Sequence, residues 1–104
     1  ANKIYAETLR NWQDLGNRAA VAHQLECFGF LAIHIEEPQR AIKLFAAAGA
    51  LRERIQSLMT DEERVEYDQA FEQVRSMLTE TEFESLWDEG RSMTMEQAIE
   101  FALN

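Results

Sequence analysis

The sequence is short of residues that break or brace a chain. It has one proline and four glycines in 104 residues, too few for a sandwich of short strands joined by tight turns. One cysteine, Cys27, excludes an internal disulfide framework and fits a reducing compartment. No charged-then-apolar leader opens the chain. The longest clean apolar run, Leu44 to Leu51, falls far short of the roughly 20 residues a membrane-spanning helix needs. There is no glycine-rich phosphate loop, because the glycines stand apart at 16, 29, 49 and 90. What these gaps leave is one small, soluble, cytoplasmic, helical domain with no membrane partner.

Positive charge is scarce in one half only. Residues 1–58 carry seven Lys/Arg against six Asp/Glu, a net of +1; residues 59–104 carry three against thirteen, a net of −10. Phosphate is repelled by such a surface, so direct nucleic-acid contact by this segment is not expected. The ordinary reading of the acidic half is a solvated helical surface, and the functional one is a docking face for a basic partner.

What is present is helical periodicity, and no strand pattern competes with it. Six helices are predicted. The first covers about Lys3 to Leu15, with Ile4, Tyr5, Leu9 and Trp12 at helical spacing and Gly16 as a left-handed cap. Asn17 is the N-cap of the second, about Arg18 to Ile35. Pro38 opens the third at the position where its missing N–H costs nothing, and that helix runs to about Ile55. Three capping boxes follow, Thr60 with Glu63, Thr79 with Glu82 and Thr94 with Gln97. The first opens a helix to about Leu78 with a stripe of Tyr67, Ala70, Phe71, Val74 and Leu78. The second opens a short helix carrying Phe83, Leu86 and Trp87 and closed by Gly90; the third opens the last helix, with Ala98, Ile99, Ala102 and Leu103. Every link is short, so neighbours should pack antiparallel.

Catalytic signatures are faint. His23, Cys27 and His34 share one stripe of the second helix, since 23 to 27 turns it by about 40° and 27 to 34 by about −20°. Position 34 is roughly 10 Å along the axis from position 27, so one ion cannot reach all three. His23 with Cys27 is a pair, and a pair is not a zinc site. As a nucleophile, Cys27 lacks an orienting third group and an oxyanion site. The expectation is therefore no enzyme, no metal and no cofactor.

The stretch from Leu25 to Leu51 has a spacing of its own. Leu25, Phe28, Gly29 and Ala32 follow the pattern of the first helix of a tetratricopeptide unit, and Ala41, Phe45 and Ala48 follow that of the second. Gly29 would let the second helix approach closely while Phe45 fills the space beside it. The closing proline of the pattern is missing, with Glu53 near that place. The unit thus resembles a tetratricopeptide repeat that ends atypically. The first helix, with Ala6, Leu9 and Trp12, resembles the second half of a preceding unit. Such units need neighbours. The chain is therefore expected to be the end of a longer protein, or to form a homodimer through that first helix.

Beyond the repeat, residues 18–104 resemble one family. Ala41-Ile42-Lys43-Leu44-Phe45, Ala50-Leu51-Arg52-Glu53, Glu63-Arg64 with Tyr67, Phe83 with Trp87, Glu89-Gly90-Arg91, and Met95-Glu96-Gln97-Ala98 carry the likeness. The family is the C-terminal tetratricopeptide-like region of large bacterial LuxR-type or predicted-ATPase transcriptional regulators. Members often have a proline-rich link before the fourth helix; this chain has none, so the orientation of the last three helices stays open. The resemblance implies an all-α, antiparallel helix stack, with residues 59–104 as an acidic C-terminal cap on residues 1–58, in one compact unit. It also implies a concave face holding His23, Glu26, Phe30, Ile33 and His34. The expected role is non-catalytic: binding a protein partner, or other domains of the same longer chain, in signal-responsive regulation. Small-ligand sensing in that groove and a free-standing adaptor are the alternatives. Gly90-Arg91 reads as a helix stop with a charge on nearby carbonyls.

Overall fold

Local signals start each helix. In the computed structural model, which describes residues 2–104 apart from the side chains of Asn2 and Tyr5, six helices follow in order: α1 Asn2–Asp14, α2 Arg18–His34, α3 Pro38–Ile55, α4 Asp61–Ser76, α5 Glu80–Arg91 and α6 Met95–Leu103. The expected burial of Tyr5 lies outside the described residues. Asn17 caps α2 by accepting from the Ala20 N–H at 3.1 Å. All three capping boxes form. Thr60, Thr79 and Thr94 each accept from the backbone N–H three residues on at 3.1 Å. Glu63, Glu82 and Gln97 accept in return from the cap N–H at 2.8, 3.0 and 2.9 Å. Each cap satisfies donors that the first turn leaves unpaired.

The first three helices end in one way. Asn17, Glu37 and Ser57 donate to the carbonyls of Trp12, Ala32 and Arg52, five residues back, at 3.0, 2.8 and 3.0 Å. The preceding residues, Gly16, Glu36 and Gln56, take φ of +72°, +61° and +56°. This is the Schellman closure. Glycine adopts it freely at position 16, whereas Glu36 and Gln56 hold it against the preference of side-chain-bearing residues.

α3 is the centre of the molecule. Ala41, Ile42, Leu44, Phe45, Ala46, Ala47, Ala48, Ala50 and Leu51 are all buried along it. It lies antiparallel to α2, because Glu26 meets Arg52 near one end while Gly29 meets Phe45 further along. A Cβ at Gly29 would sit 2.4 Å from the Phe45 ring, so the glycine sets the helix separation, as its spacing predicted. α5 crosses the other side of α3 at Gly90, where a Cβ would meet the Lys43 carbonyl oxygen at 2.4 Å and Ala46 Cβ at 2.7 Å. Gly90 is therefore a buried crossing point inside α5 and not its stop. The charge on the α5 end belongs to Arg54, which donates to the Arg91 and Met93 carbonyls at 3.3 Å. Arg91 instead pairs with Glu53 at 2.8 Å.

Two apolar clusters result, and each draws on both halves of the chain. One joins Leu9, Val21, Leu25, Leu44 and Leu51 to Ala98, Ile99 and Ala102 of α6. The other joins Ile42 and Phe45 to Val74, with Tyr67, Phe71, Phe83 and Trp87 packed against it. The rings form a relay: Phe30 to Phe45 at 5.6 Å, Phe45 to Tyr67 at 5.1 Å, Tyr67 to Phe71 at 5.9 Å, and Phe71 to Trp87 at 5.6 Å. Ile4 departs from the expected apolar stripe of α1, being 71% exposed while Leu9 is fully buried. α4 also stops at Ser76, short of Leu78, which packs against the second cluster from the link.

Candidate functional site

α4 lies alongside α2 and runs in the same direction. His23 faces Glu63, while Phe30, Ile33 and His34 line a hollow with Glu66, Ala70, Gln73 and Met77. The face expected to be concave and open is thus the floor of a groove whose second wall is α4. The groove has two hollows that share Phe30 and Glu66. The first, about 210 Å³, is lined by His23, Glu26, Phe30, Glu62, Glu63, Glu66 and Tyr67. The second, about 460 Å³, adds Ile33, His34 and Glu36. The five residues singled out from the sequence all lie in this groove, but no one hollow contains them all.

Their chemistry differs. His23 is half-exposed and places Nδ1 3.0 Å from the Glu63 carboxylate; its Nε2 is 3.7 Å from Cys27 Sγ. The Cys27 thiol is pushed above its ordinary range, first by burial and then by the charges of Glu26, Glu66 and Glu63. A thiol held in the protonated form is a poor nucleophile and a poor metal ligand. Among the described residues, no three His, Cys, Asp or Glu side chains converge as a metal site would require.

Glu26 offers no free carboxylate to a partner. It is 3% exposed, and both its oxygens are taken by Arg52, Oε2 by Nε at 2.6 Å and Oε1 by Nη2 at 3.0 Å. Such a bidentate pair fixes geometry as well as neutralising charge. That hydrogen bond holds Arg52 protonated against the opposing effect of burial. Phe30 is partly exposed and braced edge-on by Phe45, so it is a rigid aromatic surface. Ile33 is partly exposed and His34 exposed beside it. Glu36, Glu62 and Glu66 are exposed on the groove, and among the described residues they pair with no basic group.

Across Tyr67 from this groove lies a hollow that the sequence did not reveal. It is about 530 Å³ and sits where α3, α4 and α5 meet the Gln56–Thr60 link. Arg52, Arg64 and Arg91 line it together with Tyr67 and Trp87. The three arginines come from three helices, so no spacing relates them. The legible signal was scarcity: only three basic residues stand in the acidic half, and Arg64 and Arg91 are two of them.

No helix among the described residues is long and apolar enough to cross a membrane. No protein-family description matches the chain, and neither a curated protein nor a solved structure matches it.

Proposed function

We propose that this chain is a non-catalytic protein-interaction module that receives a basic, partly apolar helical segment in the groove between α2 and α4. The observation that carries the proposal is the braced, partly exposed Phe30 standing among the carboxylates of Glu36, Glu62 and Glu66, which meet no basic group among the described residues. An aromatic anchor with a charged rim is how a helix-binding groove gains affinity and register. The acidic surface selects a positive partner and steers its approach. The sequence likeness to the C-terminal regions of bacterial LuxR-type or predicted-ATPase regulators supports a role in signal-responsive transcription control in the cytoplasm. The occupant is then a basic segment of the same longer chain or of a partner protein.

Two matched amphipathic peptides test this, one of leucine and lysine and one of leucine and glutamate, followed by amide chemical shifts. The basic peptide should move the amides of residues 23–36 and 62–77, and do so less as salt rises. Phe30→Ala with His34→Ala should weaken that binding by about tenfold or more, the loss expected of an interface anchor. Equal shifts from the acidic peptide, or binding unchanged in the double variant, would overturn the assignment.

A further inference from the structure

The hollow between α3, α4 and α5 is lined by more basic than acidic groups, and it sets them beside two aromatic side chains. The whole chain carries −9, yet three arginines line this pocket with Glu53 as its one carboxylate. Arg52 is committed to Glu26 and Arg91 to Glu53. Arg64, among the described residues, meets no carboxylate. Tyr67 and Trp87 share the lining with the guanidinium groups, and Leu58, 85% exposed, stands at the link. Flat apolar walls with a few convergent charged groups, in a volume of this size, describe a small-molecule site.

A glycine supports the same conclusion independently. Three glycines lie inside helices, and two have steric reasons to be there: Gly29 against Phe45 and Gly90 against the α3 backbone. Gly49 has none. A Cβ there would meet only Arg91 Nη1, at 3.8 Å. Glycine in a helix interior is unfavourable relative to alanine, and neither packing nor backbone angle asks for it at this position. What its missing side chain preserves is space in the pocket beside Arg91.

We infer that this pocket binds a small organic anion with a flat apolar body. The carboxylate or phosphate is received by Arg64, with Arg91 beside it, and the body lies against Trp87 and Tyr67. Arginine suits this role because its planar, always-charged fork matches both oxyanions and stacks on aromatic rings. Glu53 already holds Arg91 at 2.8 Å in the way that a ligand oxyanion would.

The test is an amide chemical-shift titration of the whole chain with indole-3-acetate, phenyl phosphate and tryptamine. These are a carboxylate, a phosphate ester and a cation on comparable aromatic bodies. At least one anion should shift Gly49 and residues 56–59 saturably, and tryptamine should not; which anion is the stronger tells carboxylate from phosphate. Arg64→Ala should weaken the anion by about tenfold, as for the loss of one charge-assisted contact. Gly49→Leu should abolish the shifts by filling the space. Gly49→Ala should raise the melting temperature, since nothing opposes its Cβ. Equal response to tryptamine, silence from both anions at millimolar concentration, or undiminished binding by Gly49→Leu would overturn the site. A lowered melting temperature for Gly49→Ala would overturn the argument from the glycine.

Discussion

The two sides of Tyr67 make the most informative contrast in the molecule. Toward α2 it faces a groove with Glu62, Glu63 and Glu66; toward α5 it faces a pocket with Arg52, Arg64 and Arg91. The buried pair Glu26–Arg52 straddles the same boundary, Glu26 on the acidic side and Arg52 on the basic side. Opposite potentials are thus held a side chain apart, and a neutral ring with a bidentate pair separates them. Charge segregation at this range needs a rigid divider, because flexible arginines and glutamates would otherwise find one another and cancel.

Breaking the divider should have the largest effect. Glu26→Ala leaves Arg52, a residue 9% exposed, without its partner, and loss of about 3–5 kcal/mol is expected from urea unfolding. Replacing the pair together, Glu26→Leu with Arg52→Met, should return most of that stability, since an apolar pair of similar volume has no stranded charge. If the single and double variants were equally unstable, the pair would matter through packing alone.

Tyr67 itself gives a pH test. Burial first, then the charges of Glu26 and Asp68, push its hydroxyl up to about 12 from an ordinary 10.0. The unfolded chain releases this proton near pH 10 and the folded chain near 12, so in that window the folded state holds more protons. The contribution is complete below pH 10 and falls as pH rises toward 12. It amounts to about 2–3 kcal/mol at most. Urea midpoints measured across this window should decline more steeply for the natural chain than for Tyr67→Phe.

A smaller change sharpens the contrast from one side only. Gly90→Ala drives a methyl into the Lys43 carbonyl and should cost about 1–3 kcal/mol by overpacking. Because α5 carries Trp87 and Arg91, the basic pocket should be disturbed while the α2–α4 groove keeps its shifts. Amide spectra of the variant would show whether the perturbation stays on that side.

How legible all this was follows from how local each signal is. The capping boxes at Thr60, Thr79 and Thr94 span four residues, so the sequence displays both partners. Gly29 and Phe45 were paired correctly because a known helix-pair spacing links them. Gly90 was misread as a stop, since glycine after an amphipathic run is the usual end of a helix, while its real contact, Lys43, lies in another helix. Glu26 was read as a partner-facing residue because the periodicity of α2 marks its face and not the identity of Arg52 across the gap. The arginine pocket was invisible for the same reason three times over: its members meet only after α3, α4 and α5 have packed.

The sharing of both apolar clusters between the two halves has a consequence for the chain as an object. Arg10 holds Glu100 at 3.0 Å across ninety residues of sequence, and Ile99 completes the cluster that Leu9 begins. A single cut in the Gln56–Thr60 link would therefore not release two small domains. Each fragment would carry part of both cores and complete neither. The pieces should be unfolded apart and fold on meeting, and the melting temperature of their mixture would climb with concentration.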